Sequence, residues 1–92
     1  MSVVRVPPVL REEAGGAREV EASGATLREL LEDLSSRLPA LGARIYDGGE
    51  IPAHVNVYVD GEDVRTRGGL DAPVRDGATV VLLPAMAGGN GR

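Results

Sequence analysis

One segment, residues 26–38, repeats its leucines with the period of an α-helix. Thr26 and Glu29 have the spacing of a capping box at its start, and Pro39 ends it. A helix with one apolar stripe must bury that stripe against another element, so the rest of the chain has to supply a covering layer. The stripe consists of Leu27, Leu30, Leu31, Leu34 and Leu38.

The residues before this helix predict an antiparallel hairpin. Residues 2–10 are rich in valine and predict a first strand, whose second half the prolines at 7 and 8 place at an edge or bulge. Residues 11–16 end in two glycines and predict a turn. Residues 17–22 predict a short second strand.

The residues after the helix predict more strands. Residues 54–59 alternate strictly, and the Asp60-Gly61 pair that follows is a tight-turn signal. Val64 is predicted to begin a short returning strand, and residues 78–83 a last strand. The connection before residue 54 is irregular, with a helical turn at 40–46. The two faces of the alternating strand are Val55, Val57 and Val59, and His54, Asn56 and Tyr58.

This order of elements predicts an α+β fold of the β-grasp (ubiquitin-like) type. A hairpin, a helix and further strands form a mixed sheet of four to five strands, with the helix across one face. The first and last strands then lie side by side in parallel. We expect residues 1–83 to form this domain, and residues 84–92 a flexible C-terminal arm.

Composition excludes several functional classes. The chain has 92 residues, no cysteine and a net charge of -4, and its basic residues are all arginines scattered along the sequence. Nucleic-acid binding needs concentrated positive charge, so it is not expected. No apolar run approaches the ~20 residues of a membrane span, and no signal peptide precedes the first strand. We expect a cytoplasmic protein that is monomeric when free.

Side chains able to perform catalysis or bind metal are sparse. His54 is the only histidine, and without cysteine it has no partner for a typical zinc site. The adjacent acidic pairs at 12–13, 32–33 and 62–63 diverge on a helix or strand, so we interpret them as surface carboxylates. No catalytic residue and no metal ligand is predicted.

The end of the chain, LLPAMAGGNGR, raises two alternatives. Four consecutive apolar residues, 80–83, indicate burial on both faces or one exposed apolar face. The Gly88-Gly89 pair beyond them belongs either to a frayed terminus or to a reactive arm. Leu83, Pro84 and Met86 either complete the core or form a docking patch at the base of the arm, which Tyr58 would join.

The segments VNVYVDGEDVR and GGLDAPVRDGATVVLLPAMAGG resemble the ThiS/MoaD family of prokaryotic sulfur carriers, in particular its CysO-type branch of cysteine biosynthesis. The resemblance rests on their order: an Asp-Gly turn, a strand, Pro84, then Ala87, Gly88 and Gly89. Three other Gly-Gly pairs in the chain lack this context.

The resemblance implies a protein co-substrate, not an enzyme. An E1-like adenylating enzyme uses ATP to activate the carboxylate of Gly89, and sulfur then replaces AMP to give a thiocarboxylate. A sulfur-accepting synthase then transfers that sulfur to a metabolite. The arm, formed by Pro84, Ala85, Met86, Ala87 and Gly88, delivers Gly89 to these partners, and no cofactor is bound to the carrier itself.

The last three residues block the Gly89 carboxylate. The resemblance implies a zinc-dependent JAMM-type protease that cuts between Gly89 and Asn90, although residues 90–92 have a second interpretation as a cloning remnant.

The sulfur acceptor stays open between cysteine, cofactors and other metabolites. Three other functions stay open: a protein modifier joined to lysines through Gly89, the small subunit of a molybdopterin-synthase-like complex, and a β-grasp binding module with an inert tail.

Overall fold

The computed structural model describes residues 1–84. Within that range the strands are β1 (Ser2–Arg5), β2 (Glu19–Ala22), β3 (Val55–Val59), β4 (Glu62–Asp63) and β5 (Thr79–Pro84). The α-helices are α1 (Leu27–Arg37) and α2 (Pro39–Ile45). Short 3-10 helices span Pro8–Ala14, Val64–Thr66 and Gly69–Asp71.

The strands form one mixed sheet in the order β2-β1-β5-β3-β4. β1 pairs in parallel with β5, and the other neighbours are antiparallel. The last strand therefore occupies the centre of the sheet, next to the first. The predicted β-grasp roll, its hairpin and its parallel terminal strands are confirmed.

Helix α1 covers one face of the sheet, as its leucines predicted. The Thr26 hydroxyl accepts a hydrogen bond from the Glu29 N–H at 3.3 Å, and the Glu29 carboxylate accepts one from the Ala25 N–H at 2.9 Å. The four leucines within α1 are fully buried, and Leu38 just beyond it is partly buried. Among the strand residues expected on the side of α1, Val59 is only partly buried, while the others are buried: Val55, Val57, Val80 and Leu82.

The first strand is shorter than predicted. β1 ends at Arg5, and the chain leaves the sheet at the two prolines, which cannot donate to a strand ladder. Pro8 opens a 3-10 helix instead, a position where a missing N–H costs nothing. The predicted turn at 11–16 is thus the end of this helix, closed by Gly15 in a left-handed conformation (φ 69°). The second strand begins at Glu19, two residues later than predicted.

The predicted helical turn after α1 is a full helix, α2. Gly42 lies buried where α2 crosses α1, and a β-carbon added there would come within 2.6 Å of the Ser35 Cα. A glycine is required at this position because it lets the two helix backbones approach closely.

The Asp60-Gly61 turn is confirmed, with positive φ angles of 50° and 86°. The strand predicted from Val64 onward is wrong: β4 is limited to Glu62–Asp63, and Val64 begins a 3-10 helix. The Asp63 carboxylate accepts a hydrogen bond from the Arg65 N–H at 3.0 Å, which caps that helix, and Val64 turns into the core.

Candidate functional site

Strand β5 leads to the predicted arm. It pairs with β1 through Thr79–Val81 and with β3 through Val80–Pro84, so it has a strand on both sides at Val80 and Val81 and only β3 beside it from Leu82 onward. The arm therefore begins at the centre of the sheet. Gly89 is five residues beyond Pro84, a distance of up to ~16 Å for an extended chain.

Pro84, assigned to the arm from the sequence, is the last residue of β5 and lies opposite Val55. Antiparallel pairs alternate between hydrogen-bonded and non-hydrogen-bonded positions. The Asp60 N–H donates to the Thr79 carbonyl at 2.8 Å, which fixes that alternation and puts Pro84 at a non-hydrogen-bonded position. A proline is tolerated there because no N–H is needed.

The remaining predicted arm and cleavage residues lie outside residues 1–84. These are Ala85, Met86, Ala87, Gly88, Gly89 and Asn90, and their predicted roles stay predictions.

The face of the sheet opposite α1 carries an apolar strip. Tyr58 lies opposite Val81 in the β3–β5 ladder, and Leu83 is two residues further along the same face. Val3, on neighbouring β1, lies opposite Thr79 and extends the strip toward the first residue of β5. Leu83 is 45% exposed, so it belongs to an exposed apolar face and not to the core. Hereafter, the apolar strip means Val3, Tyr58, Val81 and Leu83.

Tyr58 and Leu83 were predicted from the sequence as docking residues. In the structure they are diagonal neighbours on two adjacent strands, β3 and β5. Val3 and Val81 were missed as members of the same surface. The signal for Val81 was available, since every second residue of a strand shares a face. Assigning Val3 needed the register between β1 and β5, which follows from the tertiary structure.

Charged groups border the apolar strip. On the β4 side, an Arg65 guanidinium nitrogen donates to the Asn56 side-chain oxygen at 2.8 Å and to the Asp63 carboxylate at 2.9 Å. This side-chain hydrogen bond, together with the Arg65 backbone N–H, lowers the pKa of the Asp63 carboxyl. On the β2 side the border consists of Glu19 and Glu21, which lie opposite Arg5 and Val3.

Of the predicted surface carboxylates, those that have a partner within residues 1–84 bind other side chains or backbone groups, not one another. Glu13 pairs with Arg44 at 3.0 Å, and Asp33 pairs with Arg37 at 2.9 Å. Glu32 accepts a hydrogen bond from the Tyr46 hydroxyl at 3.1 Å. None of the acidic pairs is arranged for acid–base work.

His54 is exposed directly before β3. Among residues 1–84, no cluster of three or more histidine, cysteine or acidic side chains is placed to hold a metal ion. The same part of the chain has no helix that is long and apolar enough to cross a membrane.

Proteins that are similar to this chain in sequence include a sulfur carrier and a protein modifier. Sulfur carrier protein CysO of Mycobacterium tuberculosis is 42% identical over 89 residues, which cover 94% of this chain and 96% of that protein. Small archaeal modifier protein 3 of Haloferax volcanii is 34% identical over 65 residues, covering 71% of each chain.

A solved structure is also similar to this chain, in both sequence and fold. A chain in the crystal structure of the Amycolatopsis orientalis BexX/CysO complex has 44% sequence identity and a TM-score of 0.89, and the match covers 96% of this chain and 99% of that one. The sequence profile of the ThiS family matches residues 4–89. That range includes the whole β-grasp sheet from Val4 onward and the Gly88-Gly89 pair, and the chain therefore belongs to the ThiS family.

Proposed function

We propose that this protein is a sulfur carrier whose reacting group is the α-carboxylate of Gly89. The observation that carries this proposal is the extent of the family match, which runs from residue 4 to residue 89 and leaves residues 90–92 outside. The attachment of the arm to the central strand supports it, because a firmly held base lets the last residues extend into a partner while the body docks outside.

The chemistry takes place on one carboxyl carbon. A Gly89 carboxylate oxygen attacks the α-phosphorus of ATP in the activating enzyme, pyrophosphate leaves, and an acyl-adenylate forms. A sulfide ion then attacks the Gly89 carbonyl carbon, and AMP leaves with the electron pair of the broken C–O bond, which gives a thiocarboxylate. Glycines at 88 and 89 suit a narrow active-site channel because they lack side chains.

Residues 90–92 have to be removed first. In the 92-residue chain Gly89 offers an amide carbonyl, which is a far weaker nucleophile toward ATP than a carboxylate oxygen. A JAMM-type metalloprotease would supply a zinc-bound water that attacks the Gly89 carbonyl and breaks the bond to Asn90. The apolar strip is the surface on which we expect the activating enzyme to dock, and a sulfur-accepting synthase takes the product.

The direct test compares the 92-residue chain with a chain that ends at Gly89. Each is incubated with an E1-like enzyme, ATP and a sulfide donor. ATP–pyrophosphate exchange reports adenylation, and intact mass reports replacement of one oxygen by sulfur. We expect both signals only from the chain that ends at Gly89. Equal exchange by the untrimmed chain would contradict the assignment of residues 90–92 as a cap.

A protein modifier is the second candidate, favoured by the 34% identity to small archaeal modifier protein 3. Both functions begin with the same adenylate and differ in the nucleophile, sulfide or a lysine amine. Mass spectrometry of the protein purified from its own cells separates them. A Gly89 thiocarboxylate identifies the carrier, and an isopeptide from Gly89 to a lysine of another protein identifies the modifier.

A further inference from the structure

A groove of about 620 Å³ lies beside the end of β5, at the point where β1 turns out of the sheet. Val81, Leu82 and Leu83 form one wall, and Pro7 and Pro8 form part of the other. Three arginines and one glutamate complete the lining: Arg5, Arg11, Arg18 and Glu19. The groove thus has more positive than negative charge in a chain whose net charge is -4.

Two of the three arginines of this groove have no acidic partner within residues 1–84. Of the arginines in residues 1–84, Arg11 and Arg18 form no ion pair with a carboxylate of that range, and both line the groove. Arg5 has the longest pair, 3.8 Å to Glu19. Arg11 is held in place because its Nε donates to the Val6 carbonyl at 3.2 Å.

The backbone of β5 also has an open acceptor here. The β1–β5 ladder includes a bond from the Val3 N–H to the Ala78 carbonyl at 3.0 Å. Two residues further along, the same ladder puts the Arg5 N–H opposite the Val80 carbonyl. Leu82 is at a non-hydrogen-bonded position of the β3–β5 ladder, as Pro84 is, so its carbonyl points toward the β1 side. β1 ends at Arg5, and the chain beyond it leaves the sheet at Pro7 and Pro8. Proline has no N–H, so β1 offers the Leu82 carbonyl no donor.

We propose that this groove binds an extended, acidic segment of the enzyme that acts on the arm. A main-chain N–H of that segment donates to the Leu82 carbonyl, and its carboxylates pair with Arg11 and Arg18. A small anion such as phosphate fits less well because its oxygens would face the Leu82 carbonyl oxygen. The proposal rests on the proposed function only for the identity of the partner as an arm-processing enzyme.

Such a segment would act as a guide for the arm. It would contact the edge of β5 within a few residues of Pro84, so its position would fix where the arm enters the partner's active site. The apolar strip would hold the body at the same time, since Val81 and Leu83 belong both to the strip and to the groove wall.

The test uses the 92-residue chain labelled with ¹³C and ¹⁵N, and a short end-blocked peptide of alternating valine and aspartate as the probe. The matched probe replaces aspartate with asparagine, and AMP and inorganic phosphate are the small-anion probes. NMR titration follows the Leu82 carbonyl, the Leu83 amide and the arginine Nε resonances. This measurement needs neither ATP nor activation of Gly89, so its failure is separable from failure of the proposed function.

The variant Arg11→Gln/Arg18→Gln removes the two arginines without acidic partners. The control Arg28→Gln/Arg37→Gln makes the same change in net charge on α1, where both arginines pair with carboxylates. Each exposed arginine–carboxylate pair contributes up to about a fivefold factor in affinity, so the groove variant should bind the acidic peptide about tenfold more weakly. The control should bind it almost as well as the unmodified chain. If Arg11→Gln perturbs the fold, Arg18→Gln alone should still weaken binding.

Shifts confined to the groove, with a response of the Leu82 carbonyl, support the proposal. Three results would overturn it: equal affinity for the asparagine peptide, equal loss in the control variant, or tighter binding of AMP or phosphate at the same resonances. Shifts spread over the whole surface would also reject it, because they would indicate non-specific attraction.

Discussion

At the scale of single residues, Asp63 connects a helix cap to an ion pair. Its carboxylate accepts from the Arg65 backbone N–H and pairs with the Arg65 guanidinium at 2.9 Å. The pKa of Asp63 is thereby lowered below the ordinary aspartate value of 3.8. A group whose pKa is lower in the folded state stabilises the fold fully above the unfolded-state pKa and loses that effect as the pH falls through the folded-state pKa.

Asp63→Asn should therefore destabilise the protein more at neutral pH than in acid. Asparagine retains an oxygen that can cap the helix but removes the charge that attracts Arg65. We expect the urea midpoint of the variant to lie below that of the unmodified protein at pH 7, and the gap between the two midpoints to narrow as the pH falls below the ordinary aspartate pKa of 3.8. Asp47→Asn, at an exposed turn, is the control. A gap of equal size at both pH values would contradict the ion-pair explanation.

Gly42 gives a second prediction at this scale. In Gly42→Ala the new methyl group would meet the Ser35 Cα at 2.6 Å, so α1 and α2 would have to separate. Overpacking of this kind costs ~1–3 kcal/mol, which exceeds the gain of about 1 kcal/mol from replacing glycine in a helix. Chemical denaturation should show a net loss of stability. The loss should be smaller in a Ser35→Gly background, because this change removes the Ser35 Oγ and Cβ, which the new methyl group would also meet. An unchanged cost there would show that the contact with the Cα of residue 35 alone sets the loss.

At the scale of elements, the start of α1 depends on Thr26. Its hydroxyl is the only side-chain group that accepts from the Glu29 N–H within residues 1–84, so Thr26→Ala leaves a helix-end donor without that partner. We expect a loss of ~0.5–2 kcal/mol in the free energy of unfolding. Thr26→Ser keeps the hydroxyl and should retain most of the stability. Equal losses for alanine and serine would show that the methyl group of Thr26, not its oxygen, is what matters.

The elements that the sequence predicted well are those whose signal is local. Helix α1 follows from leucine spacing and a cap, and the turn at Asp60-Gly61 follows from two adjacent residues with left-handed preference. The predictions were wrong where tertiary contacts determine the local backbone conformation. The Pro8–Ala14 helix depends on burial of Leu10 and Ala14, and Val64 leaves its predicted strand because its side chain is buried.

The candidate site was predictable to the same extent. Strand alternation correctly predicted Tyr58 as outward-facing, while the arm predicted from the order of turn, strand and Gly-Gly lies outside residues 1–84 and stays a prediction. The basic groove was not predictable, because Arg5, Arg11 and Arg18 looked scattered in the sequence. They converge because the chain leaves β1 at two prolines and returns as β2, a path that only the folded sheet defines.

At the scale of the whole molecule, the apolar strip should be needed for activation but not for folding. Leu83→Asp puts a charge on an exposed side chain of the strip, so it should leave stability almost unchanged while raising the KM of the activating enzyme for the chain that ends at Gly89. We expect a loss of ~1–2 kcal/mol in binding, or about a tenfold rise in KM, which would place Leu83 among the minority of interface residues that contribute more than about 1 kcal/mol. Val9→Asp makes the same change at a side chain that is 50% exposed outside the strip. Equal effects of the two variants on KM would mean that the strip is not the docking surface.

The parallel pairing of β1 and β5 has a mechanical consequence. Tension applied through the arm draws β5 along its own axis, and β1 resists from the opposite end, so the pair is loaded in shear. In that geometry the ladder bonds share the force, whereas strands peeled apart break one bond at a time. A partner that pulled on the residues beyond Pro84 would therefore have to break several ladder bonds at once before the sheet came apart.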